Sequence, residues 1–152
     1  MSPRRTRIEK VVTLREKELD KRVAQLSDTR VAEQRALSLE EQKRRELEEA
    51  AQSRLKLAEE GEALSASNWI EVSEWVQSRQ KRLEQAKLDA ARAAIETRKA
   101  QGAVMMARAD LKKVELLSER IQAQEASEEL KAERRLEDEL SALRFRRPES
   151  DK

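Results

Sequence analysis

The sequence predicts an all-α fold: an antiparallel two-helix coiled-coil hairpin with a longer second helix. Three observations predict it. Lys, Arg, Asp and Glu make up 42% of the 152 residues, and with Ala and Leu they give the composition of long helices. Only 2 Gly and 2 Pro are present, too few turn formers for a sheet protein. The second half of the chain repeats apolar residues at alternating steps of three and four, the signature of a coiled-coil seam.

The first helix is expected over about residues 4–60. Pro3 stands just in front of it, where proline is tolerated because the first helical amide has no partner. Glu18 and Arg22, Glu40 and Arg44, and Glu41 and Arg45 sit four apart in the favourable order. Its apolar residues run Ile8, Val12, Leu19, Leu26, then jump eleven places to Leu37, then Leu47, Ala51, Leu55 and Ala58. The jump reads as a stutter, which locally unwinds a supercoil.

The connection is expected at residues 61–68, where Gly61, Ser65, Ser67 and Asn68 cluster. Asn68 with Glu71 three places on resembles a capping box. The second helix is therefore expected over about 69–146, with Pro148 beyond its end. Its seam runs Trp69, Val72, Val76, Arg79, Leu83, Ala86, Ala90, Ala93, Thr97, Ala100, Val104, Ala107, Leu111, Val114, Ser118 and Ile121. Four alanines in its middle allow close approach of a partner helix.

Folding the chain at residue 65 makes residues level when their numbers add to about 130. Ile8 then meets Ile121, Leu19 meets Leu111, Leu26 meets Val104, Leu47 meets Leu83 and Leu55 meets Trp75. Large apolar residues coincide repeatedly, which favours a hairpin within one chain over a parallel dimer of one continuous helix. The whole of residues 1–152 reads as this single hairpin, monomeric on its own. Residues 127–147 are left over as an overhang, with Leu136, Leu140 and Leu143 on one face.

Charge and composition exclude several classes. There are 33 basic and 31 acidic residues, giving a net charge of +2, and no Cys, His or Tyr. Disulfides, ordinary zinc sites and histidine bases are therefore excluded, and no catalytic residue, metal or cofactor is expected. A two-helix hairpin also offers no enclosed pocket for an enzyme. Arg4, Arg5, Arg7, Lys10, Arg15, Lys17, Lys21 and Arg22 make the amino-terminal end basic. These clusters lack interleaved aromatics, so no nucleic-acid partner is expected. No apolar run reaches the ~18 residues of a transmembrane helix, and Met-Ser-Pro-Arg-Arg lacks a signal peptide's apolar stretch. A soluble, unprocessed protein is the expectation. Both tryptophans, Trp69 and Trp75, fall beside the connection, and tryptophan is enriched at interaction hot spots.

The layout resembles the FliJ family of flagellar type III export proteins, and the YscO-type secretion stalks share it. The segment Arg7-Ile-Glu-Lys-Val-Val-Thr-Leu-Arg15 is similar to the family's opening. Arg134-Arg-Leu-Glu-Asp-Glu-Leu-Ser-Ala-Leu-Arg144 is similar to its closing helix. The resemblance implies a central stalk in a hexameric export ATPase, cytoplasmic and peripheral to the inner membrane. It implies contacts with an FlhA-type export gate and with export chaperones. Mapped onto this sequence, the ATPase-ring end comprises Arg7, Ile8, Val11, Leu14, Arg15, Leu136, Leu140, Leu143 and Arg144. The gate or chaperone end comprises Trp69, Ile70, Val72, Trp75, Val76 and Arg79. A generic coiled-coil scaffold or adaptor, forming a homodimer, is the alternative.

Overall fold

A computed structural model describes residues 2–60 and 66–146. Among these, two helices account for every residue except Ser2: α1, Pro3–Glu60, and α2, Ala66–Arg146. They pack as an antiparallel hairpin. Two compact units divide it: a terminal unit of residues 1–19 and 107–152, and a central unit of residues 20–106.

In the terminal unit, α1 begins where the sequence places it. The Arg5 amide donates to Ser2 Oγ at 3.1 Å, and the Thr6 amide donates to the Ser2 carbonyl at 3.1 Å. Ser2 is thus the N-cap and Pro3 the first helical residue, the positions that suit serine and proline. The Ser2 hydroxyl also donates to the Glu125 carboxylate of α2. Ile8, Ala107 and Ile121 form the buried seam here, with Val12, Leu19, Leu111, Val114 and Ser118 half-buried around them. Arg15 reaches Asp110 across the seam at 3.9 Å.

In the central unit the seam holds Leu26, Ala50, Val76, Leu83, Ala86, Ala90, Thr97 and Val104. The Thr97 hydroxyl donates across to the Thr29 carbonyl at 3.3 Å, and Arg79 donates to Glu46 at 3.1 Å. Of the sixteen predicted seam positions of α2, fifteen are buried or half-buried; Trp69 is exposed.

The α1 side departs from expectation. Its inward face continues through Thr29, Glu33, Ala36, Glu40, Lys43, Leu47 and Ala50 at unbroken steps of three and four, all buried or half-buried. There is no stutter: Leu37 is exposed, and so is Leu55. The alanines of α2 explain how polar residues hold the seam. Long side chains lay their methylene stems over small neighbours and keep their charged heads at the edge. Glu40, level with Ala86, does so while paired with Arg44; Lys43 is level with Leu83 and keeps its head paired with Glu46.

The register also differs. Within each unit, cross-helix pairs have numbers that add to about 126, not 130. Leu26 is therefore level with Ala100, and Leu47 with Arg79, one helical turn from the expected partners. The reason lies at the start of α2. The helix begins at Ala66, so Asn68 is already helical and is not the N-cap that the Asn68–Glu71 pattern suggests. Of the expected connection at 61–68, residues 61–65 lie outside the described residues and 66–68 are helix.

Candidate interaction surfaces

A hairpin seam takes roughly one residue in 3.5 from each helix, so most side chains face outward. In the terminal unit, Val11 and Leu14 stand on the outward face of α1, Leu14 at 64% exposure, with Arg7 and Arg15 beside them. Ile8 does not join this face. It is 8% exposed and packs in the seam, because it falls on the 3–4 repeat shared with Val12. Ile8 can support a surface only from beneath.

Farther along α2, every residue from 126 to 146 is exposed. Ser2 marks where α1 stops covering α2, since its hydroxyl meets Glu125. Leu136, Leu140 and Leu143 stand at 59%, 51% and 61% exposure on one side of the helix, and no described residue covers them. Arg144 lies in the last turn with Arg146, where positive charge offsets the helix dipole.

In the central unit the six predicted residues divide. Trp69, Ile70 and Trp75 are exposed at the start of α2. Val72 is half-buried and Val76 buried, both turned into the seam. Arg79 is engaged within the chain: its guanidinium bonds Glu46 and sits 5.9 Å from the Trp75 ring centroid. A cation over an indole face is attracted by the ring's quadrupole, so Arg79 holds Trp75 in place. The outward residues are thus Trp69, Ile70 and Trp75, fanned around the start of α2, with Arg79 lying against Trp75 alone.

Sequence reading missed Glu46, whose role needs the register to be known. It also missed an outward apolar set on α2, Leu88, Ile95, Met105 and Met106, all exposed. Leu88 and Ile95 are seven apart and off the seam, the signal that could have shown them.

The described residues form no cluster of acidic side chains able to hold a metal, and no helix of theirs is long and apolar enough to cross a membrane. The family model for the flagellar FliJ protein matches residues 4–150, nearly the whole chain. Neither a characterised protein nor a solved structure matches it.

Proposed function

Since the chain belongs to the flagellar FliJ family, we propose that it serves the flagellar export apparatus as a non-catalytic stalk component of the export ATPase. In this reading the terminal unit docks in a hexameric ATPase ring and promotes its assembly and activity. The contacts are Leu136, Leu140 and Leu143 with Arg144 on α2, and Val11, Leu14, Arg7 and Arg15 on α1. Trp69, Ile70 and Trp75 of the central unit face the export gate or substrate chaperones. Such a protein works in the cytoplasm, beside the inner membrane.

One observation carries the reading: an uncovered stretch of α2 that keeps three leucines on one face at helical spacing. Exposed apolar faces of this kind mark partner sites, and each leucine buried is worth roughly 1.5–3 kcal/mol before association costs. The arginines beside it supply orientation and salt sensitivity.

The test replaces Leu136, Leu140 and Leu143 together by alanine. Alanine keeps the helix, and none of the three is buried, so the melt should stay nearly unchanged. Stimulation of the export ATPase should be lost. Full stimulation by the triple variant refutes the ring contact.

A further inference from the structure

The uncovered stretch of α2 is self-complementary. Ala132, Leu136, Leu140 and Leu143 follow at steps of four, four and three, within roughly 80° of arc on a helix of 3.6 residues per turn. The charges flanking this stripe are sorted by position. Glu128 and Glu133 flank its beginning, and Arg144 and Arg146 flank its end. All of these residues are exposed.

We propose that two copies of this chain pair through residues 128–146 of α2, antiparallel, in a two-fold dimer. With the two-fold axis between Leu136 and Leu140, Leu136 of one copy meets Leu140 of the other, and Leu143 meets the small Ala132. In an antiparallel pair the same flank of each helix faces its counterpart. On one flank Glu133 comes level with the other copy's Arg144. On the other flank Glu128 comes level with Arg146, and Glu139 with Arg135. The symmetry repeats each pair, as an isologous interface requires. Glu137 meets its own copy at the outer edge of its flank, and the opposite-charge pairs outnumber that contact.

A parallel pair sets opposite flanks against each other, which brings Glu128 beside the other copy's Glu133 and loses the pairing of Glu133 with Arg144 and of Glu128 with Arg146. The paired stretch also lies wholly within the part of α2 that α1 leaves uncovered, beyond the Ser2–Glu125 bond. The hairpin within each chain is therefore undisturbed. The dimer stands whether or not the same face enters an ATPase ring. If it does enter one, pairing and docking exclude each other.

The experiment is sedimentation equilibrium of the full chain over a concentration series at low salt. The unaltered chain should show a reversible monomer–dimer equilibrium. E128R with E133R makes the stripe basic at both ends, and R144E with R146E makes it acidic at both ends. Each variant alone should dimerise roughly tenfold more weakly, equivalent to about 1.4 kcal/mol. Mixing the two should restore a heterodimer, and all four swaps in one chain should restore the homodimer. L136A with L140A should abolish pairing in any charge background. All these positions are exposed, so circular dichroism should show helices intact in every variant. A chain that stays monomeric throughout overturns the proposal, and so does a dimer indifferent to the charge swaps. A monomer that binds the export ATPase through these leucines leaves the ring reading standing and sinks the dimer.

Discussion

Leu83 and Leu37 test which face of each helix builds the seam. Leu83 is 7% exposed on α2, and Leu37 is 45% exposed on α1. Replacing a buried leucine by alanine removes its transfer free energy and leaves a cavity, costing 2–5 kcal/mol. A seam between only two helices is open along both edges, so neighbours relax into the space and the cost falls at the low end. Leu83→Ala should therefore cost about 2–3 kcal/mol, or roughly 4–12 °C in Tm for a chain of this size. Leu37→Ala should cost under about 0.5 kcal/mol, as surface changes do, and alanine's helix propensity offsets part of even that. Urea unfolding followed by circular dichroism measures both, with unchanged slopes confirming that compactness is unaltered. The comparison is sharp because a stutter would bring Leu37 into the seam. If Leu37→Ala destabilises as much as Leu83→Ala, the continuous inward face through Thr29, Ala36 and Lys43 is wrong.

Other expectations follow from single contacts. Glu46→Gln should lower stability by less than about 1 kcal/mol, since the Arg79–Glu46 pair is only partly shielded, and high salt should erase the difference. A loss that persists in high salt would mean the pair acts through packing. Trp69→Ala should leave Tm nearly unchanged while weakening gate or chaperone binding at least about tenfold, about 1.4 kcal/mol. A large fall in Tm would return Trp69 to a structural role. Ser2→Ala should cost about 1 kcal/mol through loss of the N-cap, and amide exchange should speed up first at Arg5, whose amide bonds the Ser2 hydroxyl.

The two helices were unequally legible. The α2 seam could be read because its residues are apolar at strict steps of three and four. The α1 seam could not, because Thr29, Glu33, Glu40 and Lys43 hold inward positions. Counting leucines picks Leu37 and Leu55 instead, and both point outward. The register was missed by one turn for a local reason. Asn68 looks like a cap, but α2 has already begun at Ala66, which moves the centre of the fold toward the amino terminus. The candidate surfaces inherited these errors. Leu136, Leu140 and Leu143 could be recognised as uncovered because no described residue of α1 is level with them in either register. Ile8 and Val76 fall on surfaces only by the family resemblance, and the seam pattern, which already claims both, is the better guide to their faces.

The division between faces bears on how this chain binds. Its cohesion comes from Ile8, Leu26, Leu83, Val104, Ile121 and the small residues between them. Leu14, Ile70 and the leucines beyond residue 126 contribute little to it, because they stay largely in water when the hairpin forms. An outward leucine is thus free of packing constraints and still pays no penalty in helix propensity. Substitutions on the outward faces should change association without changing the melt, and substitutions in the seam should do the reverse. That separation holds because two helices enclose only one line of contact. In a larger bundle the same leucines would be core, and binding and folding could not be perturbed apart.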